Sequence, residues 1–218
     1  MNSDFKGLKK TLLTTTGTVG LLLALRALPI SPIIGSSFSF FSVADVLMPL
    51  SGLLGMSYAL VAVIFRVAFR MIILKAPMYA LFYHIPGLCA AAVWYTESKI
   101  VQLVLPVICM AAFIAHPIGS QVPIYSMYWL IPVLLFFVRR NIFFKALSST
   151  FIAHAVGSVI WLYSFALPVE TWRALIPVVA VERITFACCM VVVYGVVQIL
   201  FAMGSLKMGR CMHKRGLV

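Results

Sequence analysis

Seven long apolar runs fill this chain, at Thr11–Leu28, Phe41–Phe65, Met78–Tyr95, Ile100–His116, Ile124–Val138, Ala146–Leu167 and Leu175–Gly204. Backbone that faces lipid must satisfy its own N–H and C=O groups, which leaves helices or closed barrels. An apolar run of about 20 residues suits a membrane-crossing helix. The side chains are 63% hydrophobic and only 10% charged, where soluble domains average about half and a quarter. A water-soluble core of 218 residues cannot hide that much apolar surface. The expectation is an all-α, polytopic transmembrane helix bundle. It occupies residues 1–218 as a single integral membrane domain, with no room for a separate soluble one.

Seventeen Lys and Arg against five Asp and Glu give a net charge of +12. No nucleic-acid motif accompanies that charge, and it gathers at the ends of the runs. It therefore reads as orientation signal and anionic-lipid contact. The clusters are Lys6/Lys9/Lys10, Arg66/Arg70/Lys75, Arg139/Arg140/Lys145 and Lys207/Arg210/Lys214/Arg215. If all face the cytoplasm, an even number of crossings separates each neighbouring pair. Three runs lie between Lys75 and Arg139, and they are short and interrupted by Pro86, Pro106 and Pro132. Six crossings are expected, with one middle segment re-entrant or incomplete and the break within His116–Pro123. Seven is the alternative. Both termini are then cytoplasmic, in the cell (inner) membrane. Lys6, Lys9 and Lys10 resemble the start of a signal peptide. However, Arg26 interrupts the run and no Ala-x-Ala-like site follows, so a retained first helix is expected.

Within this apolar background an octapeptide recurs. Phe113-Ile-Ala-His116-Pro-Ile-Gly119-Ser120 returns as Phe151-Ile-Ala-His154-Ala-Val-Gly157-Ser158, with six of eight residues identical. A histidine in hydrocarbon is costly and usually faces protein or a cavity. The repeat points to a built site or a duplicated element, or else to two helix ends packed on small residues. His84, His116 and His154 could bind a metal together, but no H-x-x-x-H pair or acidic cluster accompanies them. No metal and no cofactor are expected. The five cysteines lack C-x-x-C spacing and read as packed thiols. Ser120 and Ser158 near histidines raise an intramembrane hydrolase as an alternative, without the G-x-S-x-G context.

Asp45 and Glu182 are acids deep in apolar runs, and such residues are functional candidates. The structural reading pairs Glu182 with Arg183 or Arg26, and makes Asp45 a helix-start residue. Phe65–Lys75 reads as an interfacial or partner-facing amphipathic stretch carrying Arg66, Arg70 and Lys75. Thr16, Gly20 and Ala24, and likewise Ser51, Gly55 and Ala59, fall four apart, the spacing of close helix packing or of a docking face. The uncharged loop Leu28–Ser37 is expected to fold over the bundle as a lid. Trp94, Trp129, Trp161 and Trp172 suit aromatic belts, or the lining of a ligand pocket.

The layout resembles the substrate-binding membrane subunit of energy-coupling factor vitamin transporters. The resemblance rests on the Gly20-xxx-Ala24 face, the apolar loop Leu28–Ser37, and Asp45-Val-Leu-Met-Pro49-Leu-Ser-Gly52-Leu-Leu-Gly55. The stretch from Ala153-His154-Ala-Val-Gly157-Ser158 to Glu182-Arg183 completes it. The resemblance implies capture of a small vitamin-like or metabolite ligand, with a separate membrane coupling subunit and ATPases driving uptake. Glu182, Arg183, His154 and Trp161 would line the pocket, and Thr16, Gly20 and Ala24 would face the partner. Asp45 is kept as a further ligand candidate, and Arg66 and Arg70 as partner-facing ones. The chain carries no P-loop with which to hydrolyse ATP. It is expected not to be an enzyme. A structural or assembly membrane protein without ligand is the main alternative.

Overall fold

The computed structural model describes residues 20, 29–32, 40–72, 75, 82–138 and 140–214. The described chain is predominantly helical. One short addition departs from the all-α expectation. Strands β1 (Pro29–Pro32) and β2 (Phe40–Ser42) pair antiparallel, with Pro29 opposite Ser42 and Pro32 opposite Phe40. Part of the expected lid is therefore ribbon, and residues 33–39 lie outside the described segment.

The run Phe41–Phe65 does not form one crossing helix. Helix α1 (Val43–Leu47) gives way to a 3-10 segment, Pro49–Leu54, and then to α2 (Met56–Ile72). Pro49 lacks the N–H that would extend α1. Gly55 has φ 115°, a left-handed conformation that only glycine holds without strain. The expected Ser51/Gly55/Ala59 stripe is accordingly not one helix face. Close approach comes instead from Gly52, where a Cβ would lie 2.0 Å from the Ala91 carbonyl oxygen.

Helix α3 (Ile85–Tyr95) carries Pro86 in its first turn, where a missing N–H costs nothing. A π-helical turn, Ile100–Val104, leads into α4 (Leu105–Ala115). Pro106 at that junction cannot donate to the preceding turn, which accounts for the wider register there. Past His116 the chain breaks, as its sequence suggests. Two short helices, α5 (Pro123–Ser126) and α6 (Leu130–Leu135), are joined by 3-10 turns at Met127–Trp129 and followed by another at Phe136–Val138.

Helix α7 (Ile142–Ser164) starts at Asn141, whose Oδ1 accepts the Phe143 N–H at 2.8 Å. Helix α8 (Val169–Lys214) includes Pro177. Two stretches are long and apolar enough to cross a membrane, Ile142–Ser164 and Val169–Ile199; the other apolar helical stretches among the described residues are shorter.

Helix α7 is central and packs on α3, α4, α6 and α8. Its Ser149 hydroxyl donates to the Ala90 carbonyl at 3.0 Å. The largest core cluster joins Phe113, Tyr125, Trp129, Phe151, Leu162 and Trp172. Arg66, Gln102, Ser148 and Arg183 are buried, while Ile64, Val181, Val192 and Ile199 face outward. Polar groups inside and apolar groups outside is the arrangement that lipid imposes.

Candidate functional site

His154, Ser158 and Trp161 fall at i, i+4 and i+7 on α7, on one helix face. The broken segment before α7 brings Tyr125 and Trp129 against it. The Trp129 indole N–H donates to His154 Nδ1 at 3.0 Å. The Tyr125 hydroxyl lies 2.9 Å from His154 Nε2 and 3.2 Å from Ser158 Oγ. Ser158 Oγ is 3.4 Å from the same Nε2.

These distances assign the proton on the ring. Indole N–H is a donor only, so Nδ1 must offer its lone pair, and the neutral imidazole then carries its hydrogen on Nε2. That N–H donates to Tyr125 Oη, the nearer oxygen. Nε2 thus has no lone pair with which to take a proton from Ser158, and the hydroxyl lacks the base a serine nucleophile needs.

Aromatic rings enclose the set. Phe113 stacks on Tyr125 at 5.3 Å and meets the rings of Trp129 and Trp172 edge-on at the same separation. Trp172 also meets Tyr125 edge-on at 5.1 Å. Offset and edge contacts are the favoured geometries of such rings. Trp129 and Trp172 are 0% and 1% exposed, so neither sits in an interfacial belt. Trp94 is buried as well.

The two octapeptides are not copies of one structural element. The first ends α4, with His116 extended at φ −79°, ψ 139°, whereas the second lies wholly inside α7. One difference explains this. Pro117 disfavours the helical region for the residue before it, and Ala155 does not. His116 faces elsewhere, its Nδ1 accepting the Ile118 N–H at 3.2 Å and its ring meeting Tyr163. What the repeats share is a meeting point, for Phe113 of the first and His154 of the second both contact Tyr125.

Glu182 and Arg183 form an ion pair on α8. The Arg183 guanidinium lies over the Phe186 ring at 4.5 Å, and its backbone carbonyl accepts from Thr150 of α7 at 3.4 Å. Thr150 lies one turn before His154 on that helix. Glu182, Arg183 and His154 therefore share one neighbourhood. Trp161 packs between Tyr83 and Phe165, and its buried indole N–H meets no acceptor among the described residues.

Asp45 belongs to a different set. Its Oδ2 accepts the N–H and hydroxyl of Ser42 at 2.9 and 2.7 Å, and its Oδ1 pairs with Arg66 at 3.4 Å. Arg66 is buried on that carboxylate rather than displayed on an amphipathic surface. Arg70 lies within α2. Gly20 is helical and exposed, while Thr16 and Ala24 lie outside the described residues. Among the described residues no three His, Cys, Asp or Glu side chains converge as a metal site.

Tyr125, Trp129, Phe113 and Trp172 were not singled out together by sequence reasoning. Their available signal was the Tyr125/Trp129 pair, four apart and directly after the expected break. No protein-family model matches this chain, and no curated protein or solved structure does either.

Proposed function

We propose that this chain is a multi-pass protein of the cell (inner) membrane that binds a small vitamin-like or metabolite ligand for uptake. Separate subunits, a membrane coupling partner and ATPases, supply the energy. Six crossings with both termini cytoplasmic fit the basic clusters: α7 and α8 supply two, and the shorter apolar segments the rest. One observation carries the reading. A hydrogen-bonded set of His154, Tyr125, Ser158 and Trp129, surrounded by aromatic rings, sits in the interior of the bundle. Polar groups at that depth are expensive and cluster where ligands or ions pass. The Glu182–Arg183 pair next to them adds charge without net charge.

The test is to purify the tagged full chain from its native membrane in mild detergent and identify co-purified proteins and small molecules by mass spectrometry. The expected result is a membrane subunit with ATPases and a bound metabolite, the latter lost in His154→Ala and in Glu182→Ala. Retention of the metabolite in both variants rejects the site. A second reading, a structural or assembly protein, is favoured by the way His154, Tyr125, Ser158 and Trp129 largely satisfy one another. It predicts that these substitutions change stability but never uptake.

A further inference from the structure

The hydrogen bonds around His154 leave one proton over. The donors are Trp129 Nε1–H, His154 Nε2–H and the hydroxyls of Tyr125 and Ser158. The indole bond uses His154 Nδ1, the imidazole N–H goes to a hydroxyl oxygen, and one hydroxyl donates to the other. The second hydroxyl's proton then has no acceptor in the set. Reversing the Tyr125–Ser158 bond moves that proton from one oxygen to the other without removing it.

Both hydroxyls are buried, Tyr125 2% and Ser158 8% exposed. A second unmatched donor belongs to a neighbouring ring. Trp172 is 1% exposed, its ring 5.1 Å from that of Tyr125, and its indole N–H meets no acceptor among the described residues. Each buried donor left without an acceptor costs about 1–3 kcal/mol. The lone pair of His154 Nδ1 is taken by Trp129. The spare protons can be matched only by an incoming acceptor, and an incoming donor leaves them as they are.

We infer that the site beside Tyr125, Ser158 and Trp172 selects its ligand as a hydrogen-bond acceptor: a flat, largely apolar molecule bearing a carbonyl, nitrile or ring-nitrogen acceptor and no ammonium group. Phe113, Trp129 and Trp172 pack on one another, and a flat body is the shape that would insert and stack among them. The unmatched hydroxyl and indole protons suit the acceptor. This inference rests on the ligand-binding reading and narrows its chemistry.

Three probes of one size test it on the full chain in phosphatidylcholine nanodiscs, with empty nanodiscs as reference. Benzonitrile only accepts hydrogen bonds, toluene does neither, and benzylamine carries an ammonium donor. The nitrile stretch lies clear of protein absorption and moves to higher frequency on accepting a hydrogen bond. Benzonitrile is expected to bind with a shifted stretch, at least about tenfold more tightly than toluene or benzylamine. Trp172→Phe keeps the ring and removes one donor. It is expected to lower benzonitrile affinity about tenfold and leave toluene binding in place.

Benzylamine binding as tightly as benzonitrile, or benzonitrile bound with an unshifted stretch, overturns the inference while ligand binding itself stands. No probe binding above the empty nanodiscs overturns it too, and the ligand-binding reading is then decided by the metabolite co-purification, which needs no added probe. If Trp172→Phe fails to fold, the three-probe comparison on the unmodified chain decides alone.

Discussion

Trp129 donates its indole N–H to Nδ1 of His154, 25 residues away, at 3.0 Å. The contact joins the broken segment to the central helix and fixes which imidazole nitrogen carries hydrogen. It thereby directs the whole set, from Trp129 through His154 to Tyr125 and Ser158. A buried histidine is costly unless its ring nitrogens are matched, and here the match comes from the 3-10 turn Met127–Trp129 between α5 and α6.

Trp129→Phe keeps an aromatic ring in that place and removes only the donor. The His154 Nδ1 lone pair is left without its partner, which costs about 1–3 kcal/mol. Denaturant unfolding of the full chain in micelles measures the loss. Nitrogen resonances of His154 should change from one tautomer to a mixture of both. Unchanged stability together with an unchanged tautomer would show that the indole bond does not hold the ring.

The repeat offers an internal comparison, because Gly119 and Gly157 occupy equivalent positions in the two octapeptides. A Cβ at Gly119 would lie 1.8 Å from the Phe113 carbonyl oxygen, an impossible approach, whereas at Gly157 the nearest atom is Pro86 Cγ at 3.5 Å. Gly119→Ala should therefore cost roughly 2–4 kcal/mol by displacing backbone. Gly157→Ala, inside α7, should be neutral or stabilise by up to about 1 kcal/mol. Thermal unfolding of the two single variants under one condition decides this. Equal effects would mean that the octapeptides are structurally alike after all.

The apolar runs made a predominantly helical bundle legible, and Pro117 with Gly119 marked the break, because proline and glycine act locally on φ and ψ. The run Phe41–Phe65 misled. Its hydropathy suits one crossing, but hydropathy does not register that Pro49 stops a helix and that Gly55 turns left-handed. Glu182, Arg183 and His154 stood out because charge and imidazole are rare in such a background, and they do lie in one neighbourhood. Tyr125 did not, and Trp129 and Trp172 stood out only as belt or pocket candidates, since aromatic residues at run ends suit a lipid interface as well as a core. Only tertiary packing separates the two. Arg66 shows the converse: helical spacing put it on a surface stripe, and its pairing with Asp45, 21 residues earlier, is not readable from spacing.

That pairing gives a graded prediction. Asp45 does two jobs, accepting from Ser42 at the start of α1 and facing the Arg66 guanidinium. Asp45→Ala removes both and leaves a buried cation without this carboxylate, for a loss of about 3–5 kcal/mol. Asp45→Asn keeps an oxygen for Ser42 and loses only the charge, so its cost should be roughly half. Arg66→Met combined with Asp45→Ala should recover part of the loss, since no buried cation remains. Chemical denaturation of the three variants is the measurement. A double variant less stable than Asp45→Ala would show that Arg66 is held mainly by other contacts.

The Glu182–Arg183 pair separates ligand binding from architecture. The Arg183 side chain is 5% exposed, so removing its carboxylate by Glu182→Ala leaves a desolvated charge and should cost about 3–5 kcal/mol. Replacing both residues, as Glu182→Ala with Arg183→Met, removes that charge and puts an apolar side chain against Phe186 in place of the guanidinium. The double variant should regain most of the lost stability. Uptake and bound metabolite are then measured beside unfolding. If the pair serves the ligand, the double variant is stable yet empty, because recognition by Glu182 and Arg183 is gone. If the pair only holds α8 in place, stability and bound metabolite return together, and the ligand contacts must be sought at His154, Tyr125 and Trp172 alone.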